Sequence, residues 1–216
     1  GFYISWANRS DPPIRLNPAQ VVNSQLCTTL VLGKHSLSTV EHLLAAIAGC
    51  GLTHVHIVVS GNEIPLLDGS SMGWVEAIEE VGFLHLDTSK NLSPVVKKPL
   101  VIHKGSSLIT AIPSESCYLI GMIDFPYPAI GRQQFSLELT PRSFVKHLAP
   151  ARTFGFKDQI DHLIDEGLIK GGNLKNSLVC DANTWLNPPL RFDDEPVRHK
   201  LLDLVGDLAL VGLPKA

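Results

Sequence analysis

A histidine and an aspartate four residues apart in this sequence have the types and spacing of metal ligands. His199 and Asp203 lie in a segment, 198–207, whose leucines and valine predict a helix packed against a core. On a helix, positions i and i+4 project from one face, one turn apart. An imidazole and a carboxylate at that spacing could bind one Zn²⁺ ion, since both are zinc ligands. The alternative is a surface ion pair, either between these two residues or between Lys200 and Asp203.

A second segment, Ser38–Gly49, also places a histidine on a predicted helix. Ser38 and Glu41 have the spacing of a capping box, so Glu41 could be no more than a reciprocal helix cap. His42 follows at once and points about 100° away around the helix. If His42 binds a metal, Glu41 lies beside a metal-bound water, where a carboxylate can act as a general base.

Two sets of side chains are therefore candidate metal sites. His42, His199 and Asp203 make a three-ligand set with a fourth position open to water, which is typical of catalytic zinc. His54 and His56 alternate on a predicted strand and share one of its faces, so they form a rival site. The alternative for the second pair is one face of an ordinary half-buried strand.

Composition and charge exclude several classes of protein. With 216 residues, 44% of them hydrophobic and 18% charged, the chain has a globular composition and room for one large domain or two small ones. The net charge of −3 argues against nucleic acid as a partner. No apolar run reaches the ~18–20 residues of a membrane span, and none is typical of a signal peptide. Four scattered cysteines without a C-x-x-C pair predict reduced thiols.

Strand-like and helix-like runs alternate along the chain and predict an α+β fold. The predicted strands are 2–6, 25–31, 53–59, 100–103, 107–112, 118–124 and 134–139, and the predicted helices are 38–49, 72–81, 141–148, 156–166 and 198–210. The polar, turn-rich stretch 87–97 predicts a linker between a first domain, 1–86, and a second domain, 98–216.

Three further positions carry polar or flexible residues whose role the local pattern leaves open. Asp207 lies one turn beyond Asp203 on the helix face that carries His199 and Asp203. There it could orient a neighbouring histidine or face solvent. Thr153 stands beside aromatic residues at a predicted loop-to-helix junction and could be a helix cap. Gly171 and Gly172 could let the backbone approach a ligand or could simply form a turn.

Five motifs in this sequence resemble those of the UDP-3-O-acyl-N-acetylglucosamine deacetylase family. They are STVEH at 38–42, IPLLDGS at 64–70, ARTFGF at 151–156, LRFDDE at 190–195 and RHKLLDLVGDL at 198–208. They occur in the family's order, and the match extends along the whole chain. The resemblance implies a zinc amidase of lipid A biosynthesis that removes an N-acetyl group. It also implies two similar layered sheet-and-helix domains packed around a zinc site.

The resemblance also implies a role for each candidate residue. His42, His199 and Asp203 correspond to the zinc ligands, Glu41 to the general base, and Thr153 to a group that stabilises the oxyanion. Lys200 would lie by the leaving group or by the nucleotide. The implied substrate-binding positions are Phe125, which would stack on uracil, and Phe154, Gly171, Gly172 and Lys200; the acyl passage corresponds to the region 154–174.

The family also has strands that precede the position of Gly1 and a catalytic histidine in a Gly-His motif beyond the position of Ala216. Asp207 would orient that histidine. We therefore expect this chain to bind zinc and to turn over about 10²–10³ times more slowly than a complete enzyme. The alternatives are a non-catalytic paralogue that binds a nucleotide-sugar lipid and a hydrolase of another substrate centred on His54 and His56.

The resemblance and the composition together give expectations about partners and location. The expected partner is a small-molecule substrate, a UDP-linked acylated amino sugar, with neither nucleic acid nor a membrane span. Peripheral contact with a membrane surface stays open. We expect a monomer in the cytoplasm, or in an organelle if the source is eukaryotic.

Overall fold

The computed structural model describes residues 1–22, 25–86, 94–165 and 172–213, and it has the mixed composition of an α+β protein. The strands are β1 (Phe2–Trp6), β2 (Ile14–Arg15), β3 (Val21–Val22), β4 (Thr29–Leu32), β5 (His35–Leu37), β6 (Val55–Val59), β7 (Leu100–Lys104), β8 (Ser107–Ala111), β9 (Tyr118–Asp124), β10 (Arg132–Glu138), β11 (Phe154–Phe156), β12 (Leu178–Asp181) and β13 (Thr184–Trp185). The helices are α1 (Glu41–Gly49), α2 (Met72–Val81), α3 (Pro141–His147), α4 (Lys157–Asp165) and α5 (Glu195–Ala209). The predicted fold class is confirmed.

The described residues of the first half form two small sheets. In one, β1 pairs in parallel with β6, from Phe2 opposite Val55 to Trp6 opposite Val59, and antiparallel with β2. Parallel strands need a crossover connection, and the chain between β1 and β6 contains α1. The other sheet is the antiparallel meander β3–β4–β5. α1 follows the meander in the chain and packs against α5, α2 and α3.

In the second half, the part that the structure describes forms three more small sheets. β7 and β8 make a hairpin, β9 and β10 pair antiparallel over their whole length, and β12 lies between parallel β11 and antiparallel β13. Gly121 in β9 lets the sheet approach α5 closely, because a Cβ there would lie 2.8 Å from the Leu201 side chain. The β9–β10 pair thus supports the helix that carries two of the predicted ligands.

The core is centred on the contact between α1 and α5. Leu44 of α1 is 1% exposed, and Leu202 and Val205 of α5 are fully buried. The two helices are in close contact at Gly206, where a Cβ would overlap the carbonyl oxygen of Glu41 and lie 2.8 Å from its carbonyl carbon. The contact therefore depends on a position without a side chain.

Several predicted elements are confirmed with small shifts at their ends. β1, α2 and β9 have the predicted bounds. α5 begins at Glu195, three residues before the predicted start, because Pro196 occupies the first turn, where its missing N–H costs no hydrogen bond. The strand predicted over 25–31 is shorter and later, and β11, β12 and β13 were not predicted. These short strands carry too few residues for a period to be recognised.

Ser38 does not cap α1, and the alternative role of Thr153 as a helix cap does not apply. α1 begins at Glu41 without a side-chain cap, and the Ser38 hydroxyl accepts a hydrogen bond from Thr29 instead (3.0 Å). Glu41 is thereby free of the capping role. Thr153 precedes β11 rather than a helix, since α4 begins only at Lys157.

The division into domains 1–86 and 98–216 stays a prediction. Most of the predicted linker, residues 87–93, lies outside the described residues, as do Gly171 and part of the predicted acyl-passage region. Among the described residues, no helix is both long and apolar enough to cross a membrane.

We expect Gly206→Ala to lower the free energy of unfolding by about 1–3 kcal/mol, because the added methyl group meets backbone atoms that cannot rotate away. Urea unfolding followed by circular dichroism measures this loss. The matched control is Gly155→Ala, where no atom lies within 4 Å of the added Cβ, and we expect a change of less than about 1 kcal/mol. Equal stability of the two variants would contradict the close helix contact.

Candidate metal centre

Three predicted ligands converge where α1 meets α5. His42 lies in the first turn of α1, and His199 and Asp203 lie one turn apart on α5. One ligand atom from each lies within 4.8 Å of the others. The Asp203 Oδ1 atom is 3.3 Å from His199 Nε2 and 3.5 Å from His42 Nε2. Both imidazoles are buried, while the Asp203 side chain is 23% exposed.

The protonation of His199 follows from its buried surroundings. Its Nδ1 lies 3.0 Å from the carbonyl oxygen of Ala151, which can only accept, so Nδ1 carries the proton. Burial lowers the pKa of His199 to about 3, despite the attraction of Asp203, and the ring is neutral. Its Nε2 therefore directs a lone pair at the Asp203 carboxylate. Two acceptors that face each other in this way are stabilised by a cation between them.

The remaining polar atoms of the cluster fit the same interpretation. Among the described residues, Asp203 Oδ1 and His42 Nδ1 are buried without a hydrogen-bond partner. The outer oxygen of Asp203, Oδ2, accepts a hydrogen bond from the Lys200 ammonium at 2.7 Å. Burial alone would raise the pKa of Asp203, but the charges of protonated His199 and of Lys200 lower it overall. With His199 neutral, the Lys200 ammonium at Oδ2 is the contact that favours the ionised carboxylate. Two nitrogen atoms and one carboxylate oxygen suit a divalent ion of the zinc type.

Glu41 is placed beside this cluster as a buried carboxylate. It is 6% exposed, and its Oε2 accepts a hydrogen bond from the backbone N–H of Thr28 at 2.9 Å. Burial raises the pKa of Glu41, and neighbouring His42 and the Thr28 N–H reduce that rise. A carboxylate with a raised pKa and one occupied oxygen is suited to accept a proton at the other oxygen.

Thr153 and Asp207 lie in the surroundings of the ligand cluster. The backbone of Thr153 is held on both sides, since its N–H donates to Gly69 (2.7 Å) and its carbonyl accepts from Leu178 (2.8 Å). It is two residues from Ala151, the partner of His199. Asp207 is exposed and accepts a hydrogen bond from the Thr28 hydroxyl at 2.8 Å.

An aromatic cluster includes two of the predicted substrate-binding residues. The rings of Phe125 and Phe154 are 5.7 Å apart, edge to face, and Phe156 contacts both. The ring centroids of Phe154 and His199 are 6.4 Å apart. Lys200 Nζ lies 5.6 Å from the ring centroid of Phe154. The cluster thus connects Phe125 to the metal ligands. Gly172 is exposed, and Gly171 lies outside the described residues.

Sequence reasoning missed Glu195, which organises the walls of the site. It is fully buried and accepts hydrogen bonds from the backbone N–H, Nε and Nη2 of Arg152 and from the backbone N–H of Arg191 (2.7–3.2 Å). Arg191 in turn donates to Asp68 at 2.7 Å and to the carbonyl of Pro150 at 2.8 Å. These contacts tie loops from both halves to the start of α5. An acidic residue at the start of a helix was the available signal, but it is common without such a role.

The rival pair of histidines lies on the surface. His56 Nε2 is 2.8 Å from the Ser5 hydroxyl, and His54 Nδ1 is 2.9 Å from the Thr53 hydroxyl. Both histidines are exposed. In the part of the chain that the structure describes, neither belongs to a group of three metal-binding side chains, whereas the α1–α5 cluster does. The geometry favours the surface-strand interpretation.

Comparison with known proteins adds a decisive observation. The family model for UDP-3-O-acyl N-acetylglycosamine deacetylase (LpxC) matches residues 1–216. The chain belongs to this family. Membership confirms the resemblance drawn from the five motifs.

Relatives in the LpxC family are similar over most of the chain. The UDP-3-O-acyl-N-acetylglucosamine deacetylase of Thermosynechococcus vestitus is 50% identical over 203 residues, which cover 94% of this chain and 70% of the relative. Those of Trichormus variabilis and Nostoc sp. are 47% and 48% identical. The first of these alignments covers 100% of this chain and 79% of the relative, and the second covers 95% and 75%.

We expect Glu195→Ala to destabilise the fold by about 3–5 kcal/mol, since it leaves the Arg152 guanidinium and two backbone N–H groups without their acceptor. Urea unfolding provides the measurement. As the control, Glu76→Ala removes an exposed carboxylate from α2, and we expect a change within about 0.5 kcal/mol. A similar small change for both variants would show that Glu195 has no organising role.

Proposed function

We propose that this chain is a zinc-dependent amidase that hydrolyses the N-acetyl group of UDP-3-O-acyl-N-acetylglucosamine. The observation that carries the proposal is the convergence of His42, His199 and Asp203, with Glu41 adjacent, in a member of the LpxC family. The relatives' names describe the same deacetylation. We place the reaction in lipid A biosynthesis, in the cytoplasm, and expect the chain to act as a monomer.

The residues that would hold the ion are His42, His199 and Asp203. The neutral state of His199 and the ionised state of Asp203 are those that ligands need. A bound Zn²⁺ would supply Lewis acidity toward the amide carbonyl and would acidify water in the site. The Ala151 carbonyl orients the His199 ring, and Lys200 holds the outer oxygen of Asp203, so each of these two ligands has a fixed direction.

Glu41 is the proposed general base. Its Oε2 is occupied by the Thr28 N–H, which leaves Oε1 to take a proton from the attacking water. As the water oxygen bonds to the acetyl carbon, negative charge develops on the former carbonyl oxygen. The bond from carbon to nitrogen then breaks, the nitrogen gains a proton, and acetate and the free amine are the products.

The remaining predicted residues have supporting roles in this proposal. The hydroxyl of Thr153 would donate a hydrogen bond to the developing oxyanion. Hydrogen bonds to Gly69 and from Leu178 hold the backbone of Thr153 in place. Lys200 would attract the leaving group or the nucleotide. The substrate-contacting residues in the proposal are Phe125, Phe154, Gly171 and Gly172, and Asp207 would orient a proton-transferring group.

The proposed function predicts acetate release from UDP-3-O-acyl-N-acetylglucosamine by the zinc-loaded chain, with loss of activity in a chelator. We expect His199→Ala and Asp203→Ala to lose tightly bound zinc, because each removes one of three protein ligands. Zinc content after gel filtration measures this directly. The matched control, His54→Ala/His56→Ala, should retain both zinc and activity. Stoichiometric zinc in either ligand variant would overturn the assignment of the site.

For Glu41→Gln we expect zinc binding to persist and kcat to fall by about 10²–10⁴, because the amide cannot accept the proton of the attacking water. The measurements are zinc content and the rate of acetate release. Glu76→Gln, an exposed substitution of the same type on α2, serves as the control and should leave kcat unchanged. A rate for Glu41→Gln within about tenfold of the unsubstituted chain would contradict a role as general base.

A further inference from the structure

Thr28 makes a polar contact with three different parts of the site. Its backbone N–H donates to Glu41 Oε2 (2.9 Å), and its carbonyl accepts from the N–H of Val40, the residue before α1 (3.4 Å). Its hydroxyl donates to Asp207 Oδ1 on α5 at 2.8 Å. The backbone donor, backbone acceptor and side-chain donor of one residue therefore all face the junction of α1 and α5.

The charges around Thr28 make these contacts more than local packing. Glu41 and Asp207 are carboxylates on two different helices, and Thr28 supplies one donor to each. Hydrogen bonds to charged acceptors are about twice as strong as those between neutral groups, and they fix the direction of the carboxylate. These two donors restrict the rotamers of both carboxylate side chains.

The fold brings Thr28 within reach of both helices for a specific reason. Thr28 immediately precedes β4, and the bond from Val40 fixes its backbone against the start of α1. Asp207 reaches the same place because the neighbouring Gly206 lets α5 approach the backbone of Glu41. A side chain at position 206 would separate the two helices and with them the two acceptors of Thr28.

We propose that Thr28 is a positioning residue of the hydrolytic site. Its N–H holds Glu41 Oε2 so that Oε1 faces the water, and its hydroxyl fixes the rotamer of Asp207. The inference rests on the proposed deacetylase function, and it assigns Thr28 no direct contact with substrate or metal.

The test compares Thr28→Val, Thr28→Ser and the neighbouring control Thr29→Val, using acetate release from UDP-3-O-acyl-N-acetylglucosamine by the zinc-loaded chain. Thr28→Val keeps the shape and loses the hydroxyl donor. We expect kcat to fall about tenfold with little change in KM or zinc content. Thr28→Ser should restore most of kcat. Thr29→Val removes a hydroxyl that donates to Ser38, outside the site, and should leave kcat unchanged.

A double-mutant cycle tests whether Thr28 acts through Asp207. We expect Thr28→Val/Asp207→Ala to have the same kcat as Asp207→Ala alone, since the hydroxyl donor has no effect once its acceptor is removed. Urea unfolding of the metal-free variants gives a second readout, in which the two substitutions should also be non-additive.

The outcomes separate this inference from the proposed function. An active unsubstituted chain whose Thr28→Val variant keeps its full kcat would overturn the positioning role alone. Equal losses in Thr28→Val and Thr28→Ser, or additive effects with Asp207→Ala, would also overturn it. An unsubstituted, zinc-loaded chain that releases no acetate would overturn the proposed function together with this role.

Discussion

The contact between α1 and α5 at Gly206 sets the geometry of the whole site. One candidate ligand, His42, belongs to one helix, and the other two belong to the second helix, so the distances among the three depend on how closely the helices pack. A glycine at the crossing removes the side chain that would keep the backbones apart. The buried leucine and valine residues around it hold the helices at that separation, because interiors are close-packed and resist small shifts.

Buried polar groups fix the protonation and the orientation of the candidate ligands at the contact between α1 and α5. The Ala151 carbonyl fixes the tautomer of His199, and the Glu195 carboxylate holds the segment that contains Ala151 by way of Arg152. Removing charged groups from water is costly, so each of these groups needs a partner with good geometry. The inner oxygen of Asp203 is an exception: it is buried without a hydrogen-bond partner and lies 3.3 Å and 3.5 Å from the Nε2 atoms of His199 and His42, where a metal ion would bind.

Local sequence rules fail at the residues that the proposed chemistry uses. The motif from Ser38 to Glu41 satisfies the capping-box pattern. In the structure, however, Glu41 accepts a hydrogen bond from Thr28, and Ser38 accepts one from Thr29. A carboxylate in the first turn of α1 is favoured by the helix dipole whether or not it caps the helix, so the sequence pattern could not distinguish the two roles. Such conflicts between a local rule and the fold are expected at functional sites.

The sequence by itself determined the α+β class, most helices, the pairing of His199 with Asp203 on one face and the adjacency of Glu41 to His42. These follow from periodicity and spacing, which act over a few residues. Five motifs also placed the chain in its family. Only the tertiary structure decided that α1 meets α5, that Glu195 is a buried acceptor and that Thr28 bridges two carboxylates. Those contacts join residues far apart in the chain, and their distances depend on packing that no local pattern encodes.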